Sequence, residues 1–180
     1  MSQFSESYHL KDANIDEAVQ LVRETSQSGY VGKLSDKWVT LIPESAVCGY
    51  NYDRAIVKHN KGVMLQYVFP EDHGFIFRLF QANNLISEYF IDINESDFED
   101  GMDASNLNSE MFVKLTGIDI SAAGFEALMQ PKTWDEYFAL PGDLMGLLGI
   151  APQAYEWLSY HYCELNKEDN KELAEQFVKV

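Results

Sequence analysis

The sequence contains few of the residues that build metal sites. It has only two cysteines, Cys48 and Cys163, which lie in different halves of the chain and form no CxxC pair. Its four histidines are scattered, and no HxxxH or HExxH pair occurs. Zinc sites need three or four such ligands, usually with two of them closely spaced. We therefore predict no metal and no cofactor, and we expect reduced thiols of the kind found in cytoplasmic proteins.

Long apolar runs are also missing. The longest apolar-leaning stretch, LMGLLGIA (144–151), falls far short of the roughly 20 residues that a helix needs to cross a bilayer. The first residues, MSQFSESYHLKD, lack the basic and apolar regions of a secretory signal. These features predict a cytoplasmic protein with no membrane partner.

Basic residues are scarce relative to acidic ones. The chain has 13 Lys and Arg against 29 Asp and Glu, which gives a net charge of -16. The imbalance is greater in residues 95–180, with 5 basic against 17 acidic residues, than in residues 1–94, with 8 against 12. Such a field repels phosphate backbones and attracts basic proteins. We therefore predict no direct nucleic-acid binding and a basic protein as the natural partner.

What the sequence does contain favours an α+β fold. Asn14 and Glu17 form a capping-box pattern before an amphipathic helix that ends near Gly29, and YDRAIVKHNKG (52–62) predicts a short second helix. The stretches YVGKL and WVTLIP predict a hairpin. Three further strands, at 63–69, 75–80 and 85–93, are separated by turn-forming residues and predict an antiparallel meander.

The second half of the chain differs from the first in charge and in predicted secondary structure. NESDFEDGMDASN (94–106) is rich in charge, and the segments after it show helical periodicity, including the last one, DNKELAEQFVKV (169–180). We therefore predict an antiparallel sheet of five or six strands with one or two helices in residues 1–94. An acidic linker or loop follows at 95–106, and a helical portion at 107–180 packs on the sheet as one unit.

Several familiar sites can be excluded by spacing. An EF-hand loop with Gly101 at its sixth position would place Phe98 and Leu107 at ligand positions, so calcium binding is not predicted. Residues 29–36, GYVGKLSD, lack the spacing of a phosphate-binding loop. No GxSxG motif is present to mark a serine nucleophile. No catalytic residue is therefore assigned.

The stretch YVFPEDHGF (67–75) contains one candidate functional residue. Turn chemistry explains Pro70, Glu71, Asp72 and Gly74, but it does not explain His73. If the protein is an enzyme, His73 and Asp72 are the expected acid–base residues. We predict a binding site made of residues that could converge at this end of the sheet: Glu71, His73, Arg78 and Trp38, with His9 as a further candidate.

Large aromatic residues allow two interpretations. Tyr30, Trp38, Trp134 and Trp157 each fit either the core or an interaction surface. Their number keeps a protein-binding surface among the predictions.

Four stretches carry a resemblance to known proteins. YHL, KWVTLIPE, LQYVFPEDHGFIFRLFQ and LLGIAPQAYEWLSY resemble a family of small bacterial proteins of unknown function. The acidic α+β character is also similar in class to immunity proteins that neutralise bacterial toxins. The family resemblance implies only a bacterial, cytoplasmic origin. The acidic surface favours a non-enzymatic interaction protein that binds a basic protein partner, as an immunity or regulatory factor. The alternative is a small hydrolase-like or ligand-binding enzyme with its site around His73. The sequence does not predict the oligomeric state.

Overall fold

The fold is built around one antiparallel sheet of eight strands. The structure is a computed structural model, and it describes residues 4–70, 73–92, 101–156, 158–166 and 175–180. The spatial order of the strands is β7-β6-β5-β4-β1-β3-β2-β8. In chain order they are β1 (Ser5–Lys11), β2 (Gly29–Gly32), β3 (Trp38–Pro43), β4 (Val63–Phe69), β5 (Gly74–Gln81), β6 (Asn84–Asp92), β7 (Met102–Asp103) and β8 (Phe177–Lys179).

Helices cover both faces of this sheet. Within the described residues they are α1 (Ile15–Glu24), α2 (Arg54–His59), α3 (Ser109–Thr116), α4 (Ala122–Leu128), α5 (Trp134–Leu148) and α6 (Tyr160–Asn166). None of them is long and apolar enough to cross a membrane.

Local sequence signals explain the N-terminal elements. The Asn14 side chain accepts a hydrogen bond from the Glu17 amide at 2.9 Å, and the Glu17 carboxylate accepts one from the Asn14 amide at 2.8 Å, so the predicted capping box of α1 is confirmed. The predicted meander is also confirmed, because β4 pairs with β5 and β5 pairs with β6, both antiparallel. The predicted hairpin is β2 paired with β3.

The predicted division into a sheet of five or six strands and a helical C-terminal half is wrong. Two further strands complete the sheet, in segments for which the sequence predicted a linker and a helix. β7 lies inside the predicted linker and pairs with β6. At the described end of the chain, Glu175 and Gln176 are helical, but Phe177–Lys179 form β8, which pairs with β2, where the predicted helix continues to Val180. Residues 95–100 of the predicted linker and 169–174 of the predicted helix lie outside the described residues.

The physical reason for both errors is the sheet edge. An unpaired edge strand leaves backbone groups without partners, and a distant short segment can satisfy them. At one edge Gly101 approaches β6 so closely that a Cβ atom there would lie 1.9 Å from the Asp92 carbonyl oxygen, so only glycine fits. At the other edge, Val31 of β2 faces Val178 of β8. A window of local periodicity cannot reveal such pairings.

The two faces of the sheet carry different cores. We call the face that packs on α1 and α2 the polar face, because alternation places a set of buried polar side chains there beside Tyr8, Met64 and Phe80. We call the opposite face the aromatic face. It packs against α3, α4 and α5 through a continuous cluster that includes Phe69, Phe75, Phe77, Tyr89, Phe112, Phe125 and Tyr137.

Candidate functional site

Four polar side chains from adjacent strands form a chain of hydrogen bonds on the polar face. The Arg78 guanidinium donates to Glu88 Oε1 at 2.5 Å and to Gln66 Oε1 at 3.0 Å. Gln66 Nε2 then donates to Glu6 Oε1 at 2.9 Å. Glu6, Gln66, Arg78 and Glu88 belong to β1, β4, β5 and β6, and we call them the buried polar network. It connects four neighbouring strands through side chains alone.

The loop between β3 and α2 lies over this network. We call residues 44–53 the covering loop. The amides of Cys48 and Gly49 donate to Glu6 Oε2 at 2.7 and 3.4 Å. Arg78 Nη2 donates to the carbonyl of Tyr50 at 2.7 Å, and its guanidinium carbon lies 5.5 Å from the centre of the Tyr52 ring. The loop conformation is therefore fixed by two charged side chains of the sheet.

Glu6 has an unusual environment for a carboxyl group. Only 1% of the residue is exposed. Burial raises its pKa to about 7, although hydrogen bonds from Gln66 and from loop amides lower it. Burial also raises the pKa of the Cys48 thiol to about 12, with the Glu6 charge adding to the effect. Glu6 therefore changes charge near neutral pH, while Cys48 stays a thiol.

Arg78 is the predicted binding residue that the structure places in this network. Its three donor groups already bind Glu88, Gln66 and the Tyr50 carbonyl, and the side chain is almost fully buried. Arg78 thus stabilises the fold and the covering loop, and it does not face solvent.

Trp38 and His73 lie elsewhere. Trp38 is buried on the aromatic face, where its indole Nε1 donates to the Leu148 carbonyl at 2.9 Å. His73 is exposed before β5, and its ring stacks on Phe4 with centroids 6.3 Å apart. Five residues of extended chain separate His73 from Arg78, which is about 16 Å. The structure does not bring Trp38, His73 and Arg78 together, and Glu71 and Asp72 lie outside the described residues.

His9 is buried on the aromatic face between two hydroxyl groups. Its Nε2 lies 2.9 Å from Ser7 Oγ, and its Nδ1 lies 3.1 Å from Thr40 Oγ1. Burial lowers its pKa to about 3, so the ring is neutral at physiological pH. One ring nitrogen donates and the other accepts, which satisfies both. His9 is therefore a structural residue inside the fold.

An exposed aromatic pair lies on helix α5. Trp134 and Phe138 are each 49% exposed, and their rings stack with centroids 6.0 Å apart at an interplanar angle of 28°. We call these two residues the aromatic pair. Trp134 also contacts Tyr137, which is fully buried and anchors this end of α5 in the aromatic core. The pair is thus a rigidly supported apolar surface.

Three exposed carboxylates lie on the same helix as the aromatic pair. Asp135, Glu136 and Asp143 are exposed, and they line a groove of about 530 Å³ between α4 and α5. Lys132 is the one basic residue in that lining, and Ala127, Leu128, Pro131 and Ala139 provide apolar surface. The lining includes neither Trp134 nor Phe138, so helix α5 carries the aromatic pair and this acidic groove as separate features.

The other grooves and side-chain clusters provide weaker evidence for a functional site. No group of three or more metal-ligating side chains occurs among the described residues. A larger groove of about 730 Å³ lies between α1, α2 and the start of β4, and its lining contains none of the predicted site residues. Between the two helices, His59 Nδ1 lies 3.4 Å from Glu24 Oε2.

Sequence reasoning missed Glu6, the centre of the buried polar network. The signal was present in strand SESYHLK, because alternation places Glu6 on the same face as Tyr8 and Leu10. A carboxylate in line with two core residues indicates a buried and hydrogen-bonded acid. Of the four aromatic candidates, Tyr30 and Trp38 are buried, Trp134 is exposed, and Trp157 lies outside the described residues.

Comparisons with protein-family models, with curated proteins and with solved structures find no match to this chain.

Proposed function

We propose that this chain is a non-enzymatic interaction protein that binds a basic protein partner through the aromatic pair on α5. The single observation that carries the proposal is the half exposure of two large stacked rings beside exposed carboxylates. Isolated apolar residues on a surface are ordinary, but a stacked Trp and Phe supported by a buried Tyr form a preorganised anchor.

The energetics favour a protein as the ligand. Trp and other large aromatics dominate the binding energy of protein interfaces, because they bury much area at small entropic cost. The net charge of -16 and the carboxylates of Asp135, Glu136 and Asp143 would speed encounter with a positively charged surface. The aromatic pair supplies contact energy, and the carboxylates select the partner by charge.

The environments of the shifted acid–base groups support binding over catalysis. Glu6 and His9 are buried on opposite faces of the sheet, each enclosed by hydrogen-bonding partners. A general acid or base must reach its substrate. The enzyme alternative around His73 stays a prediction, and its three described residues lie apart.

A regulatory or immunity-like role in the cytoplasm fits this proposal. Both cysteines are free, and Cys163 is buried in the core, as is usual where thiols stay reduced.

The test compares variants in capture and in measured affinity. Wild type, Trp134→Ala, Phe138→Ala and the matched control Leu85→Ala, which truncates another exposed apolar side chain, are used to retain partners from an extract of the native source. A retained protein is purified, and its Kd is measured by calorimetry. We expect a basic partner whose affinity falls roughly thirtyfold or more in Trp134→Ala and is unchanged in Leu85→Ala.

Salt dependence tests the charge component separately. The double variant Asp135→Asn/Asp143→Asn should weaken binding at low salt and reduce the dependence of Kd on salt concentration. Equal affinity of wild type and Trp134→Ala for the partner, or a partner without excess positive charge, would contradict the proposal.

A further inference from the structure

The groove between α1, α2 and the start of β4 combines apolar side chains with negative charge. We call it the α1 groove, and its volume is about 730 Å³. Its apolar lining consists of Leu10 and Leu21, each 6% exposed, and of the half-buried Ala13 and Val63. Clefts of roughly 300–1,000 Å³ are typical of ligand sites in proteins. The α1 groove is therefore large enough to hold a ligand.

The wall that α1 forms is acidic. Asp16, Gln20 and Glu24 are spaced four residues apart, so their side chains share one face of the helix. The Glu24 carboxylate is held in place, because Oε1 accepts a hydrogen bond from Gln20 Nε2 at 3.2 Å and Oε2 lies 3.4 Å from His59 Nδ1. Carboxylate oxygens have two lone pairs each, so both can accept a further hydrogen bond. Eight residues of helix separate Asp16 from Glu24 by about 12 Å along the groove.

The described lining of the α1 groove carries more negative than positive charge. Its carboxylates are those of Asp12, Asp16, Glu17 and Glu24, and its lysines are Lys11 and Lys61. Lys11 Nζ donates to the Leu115 carbonyl at 2.9 Å and lies 3.6 Å from Asp12 Oδ2, so its charge is compensated within the protein. Lys61 is exposed in the turn after α2, across the groove from α1. The groove is thus complementary to a ligand with positive charges beside an apolar group.

We propose that the α1 groove binds an extended segment of a partner protein that has two basic side chains four residues apart and an apolar side chain midway between them. In an extended chain, side chains at positions i, i+2 and i+4 lie on the same side, and four residues span about 13 Å. The two basic side chains then meet Asp16 and Glu24. The apolar side chain lies against Leu21, which stands between those two carboxylates in the helix.

The length of the groove favours an extended segment over a small cation. The lining follows α1 from its cap, Asn14, to Glu24, which is about 15 Å of helix. Four to five extended residues have the same length. A single amine can pair with Glu24 alone, but it leaves Asp16 and the apolar lining without contacts. The inference goes beyond the proposed function, because α1 and α2 pack on the polar face of the sheet and the aromatic pair lies on α5.

Titration with a synthetic peptide tests the proposal. The probe is acetyl-Gly-Arg-Ser-Leu-Ser-Arg-Gly-amide, and its binding is followed by the amide chemical shifts of the nitrogen-15-labelled protein. We expect saturation with a Kd on the order of 100 μM and shifts centred on Gln20, Leu21 and Gly62. Probes with Ser in place of Leu, or with the two arginines moved next to Leu, should bind roughly fivefold more weakly. A probe that does not saturate these amides, or that binds equally well without Leu, would overturn the proposal.

Charge-changing variants should alter the Kd of the probe in opposite directions. Asp16→Asn and Glu24→Gln should each raise it roughly threefold, and the double variant roughly tenfold. Lys61→Gln should lower it roughly twofold, because it removes a repulsive charge. Glu126→Gln, a matched change at an exposed carboxylate of α4, should leave it unchanged. An unchanged Kd in the double variant, or equal effects of Glu126→Gln and Asp16→Asn, would overturn the assignment to α1.

The variant Trp134→Ala separates this inference from the proposed function. It removes part of the aromatic pair and leaves the α1 groove intact, so it should bind the probe with the wild-type Kd. The double variant Asp16→Asn/Glu24→Gln keeps the aromatic pair. A loss of probe binding in Trp134→Ala as large as the loss in that double variant would overturn the inference.

Discussion

The two faces of the central sheet bury their polar groups in different ways. On the polar face, Glu6, Gln66, Arg78 and Glu88 form one connected network that also binds the covering loop. On the aromatic face, His9 is satisfied locally by Ser7 and Thr40, and ring contacts provide most of the packing. The difference teaches that the polar face uses a hydrogen-bonded network to fix a loop beside α1 and α2, whereas the aromatic face uses ring contacts to dock α3, α4 and α5.

This contrast has a physical basis. Rings pack against helices through large, non-directional contact areas, so ring contacts provide most of the packing of α3, α4 and α5 on the aromatic face. The hydrogen bond from Trp38 to the Leu148 carbonyl adds one directed contact. A loop of irregular backbone has unpaired amides and carbonyls, which need defined partners. Glu6 and Arg78 supply an acceptor and a donor at fixed positions, and they hold the covering loop at Cys48 and Tyr50.

The largest effect is expected from removing the cation of the buried polar network. Arg78→Met leaves the Glu88 carboxylate, the Gln66 oxygen and the Tyr50 carbonyl without their donor, and we expect a loss of about 3–5 kcal/mol in the free energy of unfolding. Urea unfolding followed by tryptophan fluorescence measures it. Arg54→Met, a matched change at an exposed position of α2, should have almost no effect.

A neighbour on the opposite face sharpens the comparison. Phe77 precedes Arg78 in β5 and packs on Phe112 of α3, with ring centroids 5.1 Å apart. Phe77→Leu keeps an apolar side chain in an apolar cluster, so we expect a loss of only about 1–2 kcal/mol. If Phe77→Leu costs as much as Arg78→Met, the two faces do not differ in their tolerance of substitution.

The second prediction compares the pH dependence of stability that arises from Glu6 with the one that arises from His9. Burial raises the pKa of Glu6 to about 7, so its contribution to stability is fully present below 4.5 and is lost as pH rises through 7. Burial lowers the pKa of His9 to about 3, so its contribution is present above 6.5 and is lost as pH falls toward 3. Between about pH 5 and pH 6.5 the two effects oppose each other.

Single variants should therefore reveal a pH dependence that the wild type conceals. From about pH 7 to pH 5, Glu6→Gln should lose about 2 kcal/mol of stability through His9, and His9→Gln should gain about 2 kcal/mol through Glu6. The wild type should change by less than about 1 kcal/mol. Urea unfolding at several pH values measures all three, and parallel curves for the three proteins would contradict the prediction.

Sequence patterns were sufficient for elements that local chemistry determines. The Asn14 capping box and the meander of β4, β5 and β6 follow from neighbours in the chain. The strand count was wrong, because β7 and β8 are defined by pairing with distant strands, and the short FVK segment also fits a helical pattern. Pairing across long sequence separations leaves no mark in a single sequence.

The sequence predicted the residue types of the candidate site better than it predicted their positions in the fold. Arg78 was predicted as a residue that could converge with His73. Its partners are Glu88, Gln66 and the covering loop, which the sequence does not connect to it. Trp134 was named as one of several aromatics with two possible roles, and only the packing of α5 decides which side of the helix is exposed. Burial is a property of the assembled fold, so it could not be assigned residue by residue.

The smallest effect concerns two tyrosine hydroxyls, one on each face. Tyr89 is fully buried among rings, and its hydroxyl has no hydrogen-bond partner among the described residues. Tyr8 accepts a hydrogen bond from the Asp53 amide at 2.9 Å and contacts Glu6. We expect Tyr8→Phe to cost about 1–2 kcal/mol because the Asp53 amide loses its acceptor, and Tyr89→Phe to be neutral or stabilising by up to about 1 kcal/mol.

Urea unfolding of Tyr8→Phe and Tyr89→Phe beside wild type measures this difference directly, since both variants remove the same oxygen atom from a buried ring. Only the hydrogen-bonding environment distinguishes them. An equal loss in both variants would mean that the aromatic face also depends on a directed hydrogen bond, at Tyr89. The two faces would then differ only in how much of their stability comes from directed hydrogen bonds.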